Sequence, residues 1–315
     1  MLDTTKCPQP QRLNLDTYIS NNMAQFTESY FEELFDFAEL DNTVSATIRL
    51  AAKDPQALYQ FFHRYMYFNG YASSVIARLA SSIAMSRYLF NDPKVAVKEE
   101  ADRGFQISAE VMIAASDEGS HEITHRELAQ LLDRTLGDYA ELSTEERNAV
   151  AQAPDWLEEI CQETMAKYQG TPGDAESLVK AIGFHAASEL MGDREYALLD
   201  MIIRYENEGI GFDRYLKQET KATKIGKHRY LPWGYILIHG KYEGTGAEAK
   251  HFVHVLNALN MVLECRPESE EQLTEWVLEG FKSFVELQQS LFGKIFKECL
   301  EVNGVSEAEK ALTPA

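Results

Sequence analysis

Apolar residues recur with the period of an α-helix along almost the whole chain, and this pattern restricts the fold more than any other feature. Between 23 and 40, for example, Phe26, Tyr30, Phe31 and Leu34 fall on one face of a helix. No segment shows the alternation of a half-buried strand, and no internal repeat is visible. The sequence therefore predicts an all-α protein.

Turn and capping signals divide the pattern into separate helices. Helices are predicted at 23–40, 55–69, 70–90, 94–117, 122–137, 144–152, 155–168, 175–206, 212–220, 234–264 and 268–303, the last range holding one or two. A bend is expected at Gly192 and an interruption between Gly244 and Gly246. The basic segment 221–233 is expected to be irregular.

No linker divides the 315 residues, so one helical domain is predicted over 1–315. Apolar residues make up 45% of the chain, which is enough for a sizeable core. The predicted core covers about 55–265. An N-terminal helical extension over 1–54 and C-terminal helices over 268–303 complete the domain.

The formal net charge of −20 and the pI near 4.8 restrict the partners. Phosphate binding needs clustered lysine and arginine, so no nucleic acid is expected, and docking on anionic lipid is disfavoured for the same reason. The chain shows no run of about 18 apolar residues. Its first residues lack the basic and apolar regions of a signal peptide. A cytoplasmic protein without a membrane contact is therefore expected.

The four cysteines, Cys7, Cys161, Cys265 and Cys299, are far apart and form no CxxC pair. A zinc–thiolate site or an iron–sulfur cluster is therefore not expected. Reduced thiols are expected in a reducing compartment.

Acidic and imidazole side chains occur together in three places, the first of which is EGSHEITH at 118–125. If this segment is helical, Glu118, Glu122 and His125 share one face at i, i+4 and i+7. Such a face can bind metal in a helical bundle. A solvated acidic helix start explains the same residues, because carboxylates are favourable near a helix N-terminus.

The second place is GFHAASELM at 183–191, inside an otherwise apolar helix. A buried glutamate almost always has a partner or a metal, which makes Glu189 the most informative carboxylate in the chain. His185, one turn earlier, is interpreted as a packed core histidine or as a partner of Glu189.

The third place lies between 239 and 254. His239 and Glu243 are i, i+4 neighbours, whereas Glu248 and His251 are i, i+3 neighbours, and either pair can chelate from one helix face. An uninterrupted helix would not bring both pairs to one side, so the glycines between them must supply a break. His254 is an alternative to His251 if the helix continues unbroken.

Three such clusters on three long helices can all point into the centre of a bundle. The mixture of imidazole and carboxylate, without thiolate, is suited to iron or manganese. A binuclear site is therefore the main hypothesis from the residues.

With these motifs the sequence resembles the heme-oxygenase-like diiron oxidases and oxygenases over roughly 55–265. This superfamily includes the CADD-like proteins, an alkene-forming fatty-acid decarboxylase and amine N-oxygenases. The spacing Glu118-x6-His125 is similar to the CADD-like pattern, and Glu122-x2-His125 to that of the other two branches. The family places one acid four residues after the first histidine of its last motif and three before the second. Here these requirements fall on Glu243 and Glu248, as if about five residues were inserted.

The resemblance implies a heme-oxygenase-like bundle that holds two Fe(II) ions and uses O2 as a co-substrate. The implied metal ligands are Glu118, Glu122, His125, Glu189, His239, Glu243, Glu248 and His251. Glu189, His125 and His239 are the expected catalytic residues, with Glu189 bridging the ions or binding one of them. Either Glu243 or Glu248, and either Glu118 or Glu122, serves as ligand.

The implied activity is oxidation of a small organic substrate, by N-oxygenation, desaturation or C–C cleavage. An amine or amino acid is favoured on analogy alone. An external electron donor and a homodimer are compatible with the sequence. The alternatives are a non-catalytic helical interaction protein and a metal-free enzyme of the same fold, similar to thiaminase II or a PQQ-forming oxidase.

Overall fold

The computed structural model describes residues 26–119 and 124–304, and these ranges are almost entirely helical. Their α-helices are α1 (Glu28–Leu34), α2 (Ala38–Ala51), α3 (Pro55–Asn69), α4 (Ala72–Met85), α5 (Lys98–Ala101), α6 (Gly104–Gly119), α7 (His125–Tyr139), α8 (Thr144–Ala151), α9 (Asp155–Tyr168), α10 (Ala175–Asp200), α11 (Gly211–Gln218), α12 (Gly234–His239), α13 (Ala247–Cys265) and α14 (Glu270–Val302). A 3₁₀-helix covers Arg87–Leu89, and a π-helical turn over Met201–Glu206 continues α10. The predicted all-α class is confirmed.

Helix α10 is the central element of the fold. It packs against α14, α13, α2, α12, α9 and α4. Its apolar residues are buried on nearly every face, as expected for a helix with neighbours all round. The helix runs through Gly192 without a break, and the bend at that residue stays a prediction.

The contact between α10 and α14 depends on two glycines that let the backbones approach closely. A Cβ on Gly183 would lie 2.2 Å from the carbonyl oxygen of Val277, and a Cβ on Gly280 would lie 1.9 Å from that of Lys180. Any side chain at either position would therefore separate the two longest helices. Helix α2, from the predicted N-terminal extension, also packs on both.

Local capping explains where the helices differ from the predicted ranges. The range 23–40 holds two helices, because the Asp36 carboxylate accepts from the Ala38 N–H and starts α2. The range 94–117 is likewise divided, since Asp102 accepts from the Gly104 N–H at the start of α6. Helix α7 begins later than predicted, at a capping box formed by Thr124 and Glu127.

Residues 221–233 are not wholly irregular, which corrects the prediction for this segment. Strands β1 (Thr223–Ile225) and β2 (His228–Tyr230) form an antiparallel hairpin. Gly226 in its turn has a φ of +60°, which glycine adopts at no steric cost. Within the two described ranges, no helix has both the length and the apolar character needed to cross a membrane.

Candidate metal centre

Two groups of acidic and imidazole side chains meet where α6, α7, α10, α12 and α13 converge. The first consists of Glu118, His125 and His239, and the second of Glu189, Glu248 and His251. Within each group, one donor atom from every residue lies within 4.8 Å of the others. Each group can therefore hold a metal ion. The three stretches predicted from the sequence are brought together.

Glu248 connects the two groups. Its Oε1 lies 3.8 Å from His239 Nε2 in the first group, and its Oε2 lies 3.0 Å from His251 Nδ1 in the second. The side chain is buried on the first turn of α13. A single carboxylate thus presents one oxygen to each group, which is the arrangement of a bridging ligand. The family resemblance implies that Glu189 either bridges the ions or binds one of them, and here Glu189 contacts only the second group.

Glu118 and His125 come from two different helices. Glu118 lies in the last turn of α6, and His125 is the first residue of α7. The predicted single helical face over 118–125 is therefore wrong, although the two side chains still meet. His125 Nδ1 lies 2.9 Å from Glu118 Oε1 but lacks the alignment of a hydrogen bond, so this buried nitrogen has a carboxylate beside it and no hydrogen-bond partner in the described part of the chain. A metal ion beside it would satisfy this nitrogen.

The ring of His239 is fixed by its second nitrogen. Nδ1 donates to the backbone carbonyl of Tyr235 at 2.6 Å, which leaves Nε2 facing Glu118 Oε1 at 3.3 Å, where it donates to that oxygen or, once deprotonated, can bind a metal ion. Tyr196 stacks on the imidazole with ring centroids 4.4 Å apart. Metal-binding histidines usually have such a hydrogen bond to their outer nitrogen.

A glycine-lined loop joins α12 to α13 and explains the apparent insertion. A Cβ on Gly246 would lie 1.7 Å from the His239 carbonyl oxygen, and a Cβ on Gly240 would lie 2.9 Å from the Asp193 carbonyl oxygen. The chain can therefore fold back closely enough to place Glu248 beside His239. Buried Asp200 holds this region by accepting hydrogen bonds from the Trp233 indole and the Tyr242 N–H.

The second group is supported from both sides. Glu189, which is only 5% exposed, directs Oε2 to His251 Nδ1 at 3.2 Å and Oε1 to His185 Nδ1 at 3.3 Å. His251 Nε2 donates to Asp117 Oδ2 at 3.1 Å, so Nδ1 faces the group. His185 is fully buried, and its Nδ1 also contacts the hydroxyls of Tyr168 and Ser188, so the structure agrees with both of its interpretations.

Electrostatics within the centre favour charged acids beside imidazoles. Burial alone raises the pKa of Glu118, but the neighbouring imidazoles of His125 and His239 bring that pKa well below its usual value. Burial, together with the charge of Glu189, raises the pKa of Glu248 to about 7. Burial lowers the pKa of His251, but hydrogen bonds to Glu189 and Glu248 outweigh it and raise the value to about 11. Positive charge is therefore strongly favoured among these carboxylates, and a metal cation supplies it by displacing protons.

Several predicted ligands lie elsewhere. Glu243 is exposed, with a φ of +54° in the loop before α13, and it belongs to neither group. His254 pairs with Glu110 at 2.7 Å instead of facing the centre. Glu122 lies outside the described residues. The structure thus favours Glu248 over Glu243 and His251 over His254.

Two cavities adjoin the centre. The central cavity has a volume of about 80 Å³ and is lined by both groups except His125, together with tyrosines of α3, α9, α10 and α12. The outer pocket, of about 650 Å³, lies on the other side of Glu118 and also contacts His125 and Arg126. Asn69, Tyr71, Glu118 and Tyr235 line both cavities, so the outer pocket and the central cavity adjoin at these residues.

The described cysteines take no part in this centre. Burial raises the pKa of Cys161 and Cys299 to about 12 and that of Cys265 to about 11, so each is a poor nucleophile at neutral pH. None of them lines either cavity. Cys7 lies outside the described residues.

Sequence reasoning missed two acids of this region, Asp117 and Glu195. Glu195 lies on the same apolar helix as Glu189 and is 3% exposed. The rule that a buried glutamate needs a partner, which selected Glu189, would have selected Glu195 as well. Asp117 offered no signal of its own beside Glu118.

No family model and no curated protein matches this chain. The case for its function therefore depends on the geometry of the centre.

Proposed function

We propose that the protein is a non-heme diiron oxidase or oxygenase that uses dioxygen to oxidise a small organic substrate. The observation that carries this proposal is Glu248, which offers one carboxylate oxygen to each of two buried groups of imidazole and carboxylate donors. A structural metal site would need neither a second group nor an adjoining cavity. Two ions that share a carboxylate next to a small cavity would suit redox chemistry on a bound molecule.

The donor types support iron. Three imidazoles and three carboxylates form the two groups, and no thiolate is among them. Such mixed donors suit iron or manganese better than zinc held by sulfur. The convergence of α6, α10 and α13 on one centre also supports the proposed heme-oxygenase-like bundle.

The chain's own residues bind the ions, orient the ligands and exclude water. A pair of ferrous ions would supply electrons for the reduction of dioxygen, which side chains alone do not provide. The Tyr235 carbonyl and Asp117 orient the imidazoles of His239 and His251. The central cavity of about 80 Å³ has room for only two or three waters, so a bound substrate displaces most of them. We infer that substrate arrives through the outer pocket beside His125.

Reduction of dioxygen to water takes four electrons, and a two-electron oxidation of substrate supplies half of them. An external electron donor therefore completes the proposed cycle. No cysteine of the described residues lies at the centre, which counts against a thiaminase-II-like reaction.

The proposal is tested by loading the protein with Fe(II) under anaerobic conditions, removing excess metal, and measuring iron per chain and oxygen consumption. We expect two irons per chain and uptake of oxygen on exposure to air. His125→Ala should bring bound iron below two after desalting, because the ion of the first group then keeps a single imidazole, that of His239. A protein that binds no iron and consumes no oxygen would instead support the non-catalytic interaction protein.

A further inference from the structure

The walls of the central cavity combine acids with aromatic rings and, among the described residues, contain no lysine or arginine. Five tyrosines and two phenylalanines line it: Tyr65, Tyr71, Tyr168, Tyr196, Tyr235, Phe68 and Phe284. Four glutamates also line it, three of which belong to the candidate metal groups. The fourth, Glu195, has no part in those groups.

Glu195 is a buried acid whose hydrogen-bond partners are both neutral. Its Oε2 accepts from the Tyr65 hydroxyl at 2.9 Å, and its Oε1 accepts from Gln288 Nε2 at 2.6 Å. It forms no ion pair within 26–119 and 124–304, and burial raises its pKa to about 8. An isolated buried carboxylate is costly, so a cation beside it would be strongly stabilising.

Gln288 provides an independent sign of a missing donor. This side chain lines the cavity and is 2% exposed, yet its Oε1 makes no hydrogen bond in the described part of the protein. Its other amide atom already donates to Glu195. The oxygen of the same amide therefore stays unsatisfied, next to an acid that has no ion-pair partner in the described ranges. Buried polar atoms of this kind generally require a partner.

The aromatic walls suit the same kind of ligand. Tyr65 and Tyr196 meet edge to face, with ring centroids 5.6 Å apart. Tyr65 donates to Glu195, and Tyr196 follows Glu195 in the sequence. The faces of tyrosine rings attract cations, most strongly where water is excluded. A ligand with a carboxylate would find no lysine or arginine among the described residues of the cavity wall, because Arg78 and Arg87 are exposed and Arg126 lines only the outer pocket. The imidazoles of His239 and His251 in that wall already pair with the carboxylates of the two metal groups.

We propose that Glu195 and Gln288 bind the ammonium group of a small aliphatic amine, which is the substrate of the diiron centre. The role of the amine as a substrate rests on the proposed function, whereas its binding to Glu195 and Gln288 does not. An ammonium group has three N–H donors, enough for Glu195, Gln288 Oε1 and one further acceptor.

The test compares three probes of similar size, n-propylamine, propionate and 1-propanol, by ligand-detected NMR titration. Each is titrated against the metal-free protein and against protein loaded with redox-inert Zn(II), so that binding is measured without turnover. We expect propylamine to bind at least tenfold more tightly than either of the other probes. Equal binding of propionate and propylamine would overturn the proposal, whatever any variant shows.

Glu195→Gln keeps the shape of the side chain and removes its charge. It should weaken propylamine binding at least tenfold and leave binding of propanol unchanged. Glu158→Gln is the matched control, because Glu158 also accepts from a tyrosine hydroxyl, that of Tyr67, but lies outside the cavity. Loss of amine binding in the control alone, or in neither variant, would contradict the assignment.

Metal content is measured in the same samples and separates this inference from the proposed function. Two bound metals without amine selectivity would refute the inference and leave the metal centre standing. Amine selectivity that depends on Glu195, in a protein that binds no metal, would support the inference and refute the metal centre.

Discussion

Replacement of Glu248 by glutamine should remove one of the two metal ions and leave the other. The amide keeps the volume of the side chain, which packs next to Gly192. A Cβ on Gly192 would lie 3.4 Å from Glu248 Cγ. A neutral amide is a poor metal ligand compared with a carboxylate. The substitution therefore acts on coordination and leaves the packing of α10 against α13 intact.

The size of the effect follows from the donors that remain. Without Glu248, the first group retains three ligands, Glu118, His125 and His239, whereas the second retains only Glu189 and His251. Protein metal sites with an open position usually have three protein ligands. Loss of a residue that merely orients a ligand costs about 10–100-fold in affinity, so loss of a ligand should exceed that range.

The assay is metal content by mass spectrometry after anaerobic loading and desalting, with Glu243→Gln as the control. Glu243 is an exposed neighbour in the preceding loop, and its variant should bind two metals per chain. Glu248→Gln should bind one. If Glu243→Gln lost metal while Glu248→Gln retained both ions, the assignment of the bridging ligand would be wrong.

Three further predictions concern packing, ligand orientation and pH. Gly183→Ala should lower the melting temperature, because overpacking against the backbone of α14 costs about 1–3 kcal/mol or more, whereas Gly293→Ala on α14 itself has open space and should not destabilise the protein. Asp117→Asn should keep two metals at saturation but reduce affinity about 10–100-fold, because it weakens the hydrogen bond that orients His251; unchanged affinity in a chelator competition would count against this role. Burial raises the pKa of Glu195 from 4.5 to about 8, so the folded state retains a proton that the unfolded state loses, and stability falls as pH rises. In denaturant titrations of the metal-free protein, the free energy of unfolding should fall between pH 5 and pH 8 by about 3 kcal/mol more in wild type than in Glu195→Gln, since each pKa unit corresponds to about 1.4 kcal/mol. Equal losses would refute the raised pKa of Glu195.

Local signals allowed parts of the fold to be predicted closely. Helices α3 and α9 have the predicted ends, because Asp54 and Pro55 start one and the residues around Pro154 start the other. Such capping depends on neighbours in the sequence alone. The hairpin was missed because three-residue strands are too short to show an alternating pattern.

The site could be predicted as a set of candidates but not as an arrangement. The choice between Glu243 and Glu248 depends on Gly246 packing against the His239 carbonyl, a tertiary contact with no signature in the spacing of ligands. For the same reason, the sequence could not show that Glu248, and not Glu189, reaches both groups. The spacing of ligands in the sequence describes one helix at a time, whereas five helices supply the ligands of this centre.

The most direct test of the binuclear centre is anomalous diffraction at the iron edge from crystals of the anaerobically loaded protein. A binuclear centre should give two peaks, one beside Glu118, His125 and His239 and the other beside Glu189 and His251, with Glu248 contacting both. A single peak, or iron bound anywhere else in the chain, would contradict it.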